Sequence, residues 1–169
     1  MHRSLEEKLP LTGTSDHFVR QALYYDDPEG NGIEVDADRS RSGWTYPGER
    51  LNIGIEHLDF ERLLRIADAP RPKFSAATAL GHMHLNVGDL DWSQAFYESM
   101  GMTLTAEAGN VMRFLSWDGY HHHPGINLLE GRGAAAIEPD VAGLKSFEVG
   151  RLDASAPDPD GIEVILPQP

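Results

Sequence analysis

The 169-residue chain contains no cysteine, which excludes disulfides, thiolate–zinc sites and thiol nucleophiles. It is poor in positive charge: 14 Lys and Arg stand against 27 Asp and Glu, a formal net charge of −13 at pH 7. Such a surface repels nucleic acid and disfavours anionic membrane. Long hydrophobic runs are missing, since nothing approaches the ~20 apolar residues of a membrane span, and the opening MHRSLEEKLPLTG has no apolar signal core. No glycine-rich phosphate loop and no glycine-flanked nucleophilic serine occurs, so a serine triad is unsupported. These absences predict a soluble, cytoplasmic protein that partners neither nucleic acid nor membrane. An apolar fraction of 40% with 24% charged residues is enough to form a core, and the length suits one domain.

Read along the chain, residues 18–25 (FVRQALYY) form a strand candidate that ends in the turn DDPEGNG. In IEVDAD, Ile33, Val35 and Ala37 alternate with Glu34, Asp36 and Asp38, which predicts a strand with one wet face. Residues 39–50 read as loop, DFERLLRIA as a short helix, and APRPKFSAAT as a linker. From residue 80 the order is clearer. LGHMHLNV is a strand and GDLDWSQAFYESMGM a helix, with Asp89 or Asp91 as cap, Gly101 as stop and Leu90, Phe96, Tyr97 and Met100 as buried stripe. TLTAEA, VMRFLSW and GINLLE supply three strands, and GLKSFEV one more. The closing DPDGIEV at 158–164 echoes DPEGNGIEV at 27–35, which implies a duplicated turn–strand module.

Three groups of residues could carry chemistry. His82 and His84, two apart on a strand, share a face and serve either as metal ligands or as ordinary half-exposed histidines. Glu34 and Glu163 recur inside the repeat; each is either a solvated strand carboxylate or one that is paired or metal-bound. The run His121, His122 and His123 is either an acid–base or metal site or an imidazole-rich turn. In an extended segment His121 and His123 face one way and His122 the other. Histidines with a carboxylate on short strands make a nitrogen/oxygen set that suits ferrous iron with open positions, and manganese or zinc less distinctively.

LGHMHLNVGDLDWSQAFYESMGM and DPEGNGIEVDADR resemble the opening strand–helix and the closing strand of a βαβββ module. This is the unit of the vicinal oxygen chelate superfamily, which includes glyoxalases, bleomycin-resistance proteins and extradiol dioxygenases. FLSWDGYHHHPGINLLEGRGA is similar to the bacterial catechol 2,3-dioxygenase-like branch. The resemblance implies an α+β fold of paired βαβββ modules that form a cupped mixed sheet with helices on its outer face. It also implies a single domain over residues 1–169: a partial module at 13–38; loop, short helix and linker at 39–79; a whole module at 80–131; and a partial module at 140–169. One module is thus incomplete or composite, as in a trimmed relative.

By position, the resemblance makes His82 the first-strand metal ligand and Glu34 and Glu163 the alternative carboxylate ligands. His122 and His123 become catalytic acid–base residues, and His84 and His121 stand behind the ligands. Ser146 occupies the next module's first-strand ligand position, where serine ligates poorly. Tyr120, Trp117 and Asn127 are the expected substrate contacts. The implied cofactor is a divalent metal, Fe(2+) first, with Mn(2+), Zn(2+) or Ni(2+) as alternatives. The implied substrate is a catechol-type or other small aromatic molecule chelated through two oxygens. A non-catalytic binder of the bleomycin-resistance type and a glyoxalase-type isomerase or lyase are the alternatives. Trp44, Trp92 and Trp117 offer stacking area, with core packing the expectation for Trp92. Open module edges predict a homodimer, with or without strand exchange.

Overall fold

Alternation in GIEVDAD and in the segment before it builds an antiparallel sheet in the computed structural model, which describes residues 10–67, 73–129, 131–133, 141–149 and 156–165. Packing divides the chain into two units, Met1–Leu80 and Gly81–Pro169. Among the described residues both helices and strands occur and most strand pairs are antiparallel, an α+β fold. The linker around residues 68–72 and the chain ends lie outside the described residues.

In the first unit, β1 (Leu11–Asp16), β2 (Arg20–Asp26) and β3 (Gly32–Asp38) form a sheet in the order β1-β2-β3. The register sets Tyr24 opposite Glu34 and Ala22 opposite Asp36. The expected alternation is present in β3, but its polar face is not the wet one. Ile33 is 47% exposed, whereas Glu34 and Asp36 are half-buried. The cause lies on β2, where Arg20 is buried and draws both carboxylates inward through ion pairs. The short helix α1 (Phe60–Ile66) forms where its apolar spacing predicts, and Asp59 caps it by accepting from the Arg62 N–H. Strand β1 has no sequence signal, because LTGTSD lacks apolar alternation.

The second unit contains the βαβββ order expected of residues 80–131. It comprises β4 (Met83–Asn86), α2 (Leu90–Ser99), β5 (Thr103–Ala108), β6 (Met112–Ser116) and β7 (Pro124–Asn127), with sheet order β4-β7-β6-β5 and β4 parallel to β7. Asp89 caps α2 by accepting from the Trp92 N–H, whereas Asp91 pairs with Arg113 at 2.6 Å. Leu90, Ser93 and Tyr97 are buried, Phe96 and Met100 pack at the edge, and Trp92 is 72% exposed rather than in the core. Gly101, at φ +84°, turns the chain out of the helix. A smaller sheet of β8 (Ser146–Glu148), β9 (Ala156–Pro157) and β10 (Glu163–Ile165) is ordered β8-β10-β9. Phe147, Ile162 and Val164 from this segment join Leu85, Tyr97, Leu115 and Ile126 in one core.

Candidate functional site

The histidine run lies in the connection from β6 to β7, and the chain does not run straight there. Asp118 and Gly119 both have positive φ, 54° and 62°, so the segment bends before it reaches the imidazoles. Backbone and side-chain bonds then hold it: Ser116 Oγ donates to the Tyr120 carbonyl at 2.6 Å, and Thr105 Oγ1 to that of His121 at 2.6 Å. The His123 N–H donates to the Leu115 carbonyl, and the His123 carbonyl accepts from Met83 N–H at 2.9 Å. This last bond ties the run to the start of β4, where His82 and His84 stand.

The bend overturns the expected facing of the run. His121 and His122 converge, with Nδ1 atoms 2.9 Å apart and both rings 0% exposed, while His123 points elsewhere. His82, half-buried just before β4, completes the group: its ring centroid lies 4.3 Å from that of His122 and 5.7 Å from that of His121. One nitrogen from each of His82, His121 and His122 lies within 4.8 Å of the others, a set that could hold a metal ion. His121, expected behind the ligands, and His122, expected as an acid–base residue, each offer a nitrogen to this candidate set.

His84 is exposed beside this set, its ring 5.4 Å from His82 and 5.3 Å from His122. Gly125 makes room for it, since a Cβ there would lie 3.0 Å from the His84 ring. Aromatic rings enclose the rest: Phe114 lies 4.7 Å from His122, and Tyr120 lies 4.0 Å from His121 at 33°. His123 packs against Trp117 and Tyr120 at 5.4 and 5.2 Å, and its Nδ1 accepts the Trp117 N–H at 3.3 Å. A neutral His123 ring therefore carries its proton on Nε2.

Two of the expected substrate contacts have their polar atoms engaged by the backbone. Trp117 Nε1 donates to the Met100 carbonyl at 3.0 Å, at the end of α2. Asn127, 3% exposed, donates to the Leu85 carbonyl and accepts from the Leu129 N–H, which ties β7 to β4. Tyr120 remains beside the imidazoles.

The two glutamates differ from each other in their surroundings. Glu163 is exposed on β10, opposite the buried Val164, and belongs to no metal-capable group among the described residues. Ser146 pairs in register with it on β8. Glu34, within the first unit, accepts from Tyr24 Oη at 2.8 Å and from Arg20 Nη2 at 3.0 Å. His17 extends this network, with Nδ1 donating to the Gly54 carbonyl and Nε2 2.7 Å from Tyr24 Oη. Burial holds the His17 imidazole below its ordinary pKa, and burial together with the Glu34 charge pushes the Tyr24 phenol up. Sequence reading missed Arg20 and Tyr24. The available signal was their period-2 spacing on β2, which faces the acidic residues of β3.

The chain is thus an α+β protein whose βαβββ module brings the imidazoles of His82, His121 and His122 together. Over 141 residues, 81% of the chain, it is 40% identical to a protein of Bacillus subtilis (strain 168) named catechol-2,3-dioxygenase. The match covers 50% of that relative, so the chain spans about half of its length. No family model and no solved structure matches the chain.

Proposed function

We propose that the protein is a metal-dependent, dioxygenase-like member of the vicinal oxygen chelate superfamily, of the extradiol ring-cleaving kind, acting on a catechol-type or other small aromatic substrate. The observation that carries this is the convergence of His82, His121 and His122 in a chain 40% identical to a named catechol-2,3-dioxygenase. The nitrogen donors fit a divalent first-row metal, with Fe(2+) as the cofactor proposed and Mn(2+), Zn(2+) or Ni(2+) as alternatives. Such an ion, when bound, supplies Lewis acidity and open positions for the vicinal oxygens of the substrate and for dioxygen.

His82 holds the metal, and the chain offers two sources for the other ligands: a strand carboxylate, Glu34 or Glu163, or the imidazoles beside it. His123 gives or takes the substrate proton at Nε2, because its Nδ1 is engaged by the backbone. Tyr120 and Phe114 form an aromatic wall that favours a flat ring and keeps water away. A homodimer in the cytoplasm, with small aromatic molecules as its ligands, completes the proposal. The engagement of Glu34 by Arg20 and Tyr24 favours a second reading, a non-catalytic binder of small aromatics.

The experiment is anaerobic reconstitution with ferrous iron, followed by a panel of catechols under air, with dioxygen uptake and yellow ring-cleavage product recorded together. Both signals are expected. Neither signal at stoichiometric iron would remove the enzymatic reading and leave the binding one.

A further inference from the structure

We infer that the Thr105 hydroxyl positions the histidine run, and through it the proton-carrying nitrogen of His123. The inference rests on the ring-cleavage reading above and adds to it a positioning residue that acts through the backbone. Its ground is the register of β5 on β6. Leu104 pairs with Leu115 and Ala106 with Phe114, so two steps along β5 meet one step along β6. Thr105 is the extra residue, a β-bulge unpaired in the ladder. A bulge disrupts ladder bonds, and beside a functional site it serves to re-aim a side chain. Here that side chain carries a hydroxyl, which reaches the Phe114 carbonyl at 2.9 Å on the neighbouring strand and the His121 carbonyl at 2.6 Å in the run. One proton serves both, and the shorter contact assigns it to His121.

The preceding carbonyl is held in the same way. Ser116, fully buried, donates from Oγ to the Tyr120 carbonyl at 2.6 Å. Two successive carbonyls of the run are thus gripped by hydroxyls, just after the positive-φ pair Asp118 and Gly119 and outside the strands. Further on, the His123 N–H donates to the Leu115 carbonyl at 2.8 Å, and His123 Nδ1 accepts the Trp117 N–H at 3.3 Å.

This last contact stands at the long end of the hydrogen-bond range, so it tolerates the least displacement. It is also the one that leaves the proton on Nε2. Releasing the His121 carbonyl lets the run shift, the Trp117 contact opens first, and the His123 ring divides between its two tautomers. Play of about 0.5 Å is enough to loosen a site whose proton must travel from one nitrogen.

Two substitutions separate the hydroxyl from the shape of the side chain. Thr105→Val keeps the branched shape and removes the donor, whereas Thr105→Ser keeps the donor and removes the methyl. Each variant, loaded with ferrous iron, is assayed on catechol, and imidazole nitrogen NMR of the full chain without metal reads the tautomer. His123→Asn assigns the signal. In Thr105→Val, kcat should fall at least tenfold with KM within twofold and circular dichroism unchanged, and His123 should lose its single Nε2–H pattern. Thr105→Ser should match the wild type in both readouts. Thr105→Ala, which also lacks the donor, should change the His123 pattern as Val does. A Ser variant as impaired as the Val variant would assign Thr105 to packing and overturn the inference. An unaltered His123 pattern in Val and Ala would overturn it too. A wild type that turns over no catechol, with a His123 pattern altered by Val and Ala but not by Ser, would remove the ring-cleavage reading and leave the positioning role standing.

Discussion

Asp27 and Asp158 open the same turn motif and hydrogen-bond the backbone in the same way, yet their proton affinities shift in opposite directions. Asp27, exposed, accepts from the Asn31 amide and N–H and from the Glu29 N–H, and these bonds hold its carboxyl below the usual range. Asp158 is 5% exposed, and burial pushes its carboxyl above that range despite bonds from Ile162 N–H, Asp160 N–H and Tyr97 Oη. A raised folded pKa gives stability that is fully present below the unfolded value of 3.8 and lost as pH rises through the folded one. Asp158→Asn keeps an oxygen for the two N–H donors and removes the charge. Wild-type Tm relative to this variant should therefore fall as pH rises from about 3 to about 7. Thermal melts across that range check it, and a constant difference would be the contrary result.

At the scale of elements, α2 and the strands around it were legible because their signals are local and agree. Asp89 caps, Leu90 and Tyr97 face inward, and Gly101 stops the helix. At φ +84° a side chain on Gly101 costs about 1–2 kcal/mol of backbone strain. A Cβ there would meet Trp117 Nε1 only at 3.6 Å, an ordinary contact, so the loss is conformational. Gly101→Ala should thus lower stability by about 1 kcal/mol in chemical denaturation, with the slope against denaturant unchanged. Strands β1 and β9 were not legible: the first has no apolar alternation, and the second is two residues ending in proline. The histidine run was legible as chemistry but not as geometry. Its bend depends on two positive-φ residues, Asp118 and Gly119; that pair marks a turn in the sequence but not which imidazoles the turn brings together.

For the whole molecule, the sheet edges among the described residues bear on assembly, although Asp16 at the end of β1 already exchanges backbone bonds with Glu56. Strands β1 and β3 bound the sheet of the first unit, and β4 and β5 bound the larger sheet of the second, with Ile33 exposed along β3. Unpaired edges recruit further strands, which is the basis for the proposed homodimer. Sedimentation at micromolar concentration should give a mass near twice 18.7 kDa, whereas monomer alone would count against it. No helix among the described residues is long and apolar enough to cross a membrane.

By itself the sequence determined the strand–helix–strand order of residues 80–131 and the repeated turn, because periodicity, capping and turn chemistry act between residues a few positions apart. It also singled out the histidines and the two glutamates as the residues worth attention. Only the tertiary structure decided which of them meet. His82 and His121 are separated by nearly forty positions, and the parallel pairing of β4 with β7 and the bend before the run bring them together. The same holds for Glu34, whose burial depends on an arginine fourteen residues earlier on a neighbouring strand. Long-range contacts of this kind follow from register and packing, which no local pattern encodes.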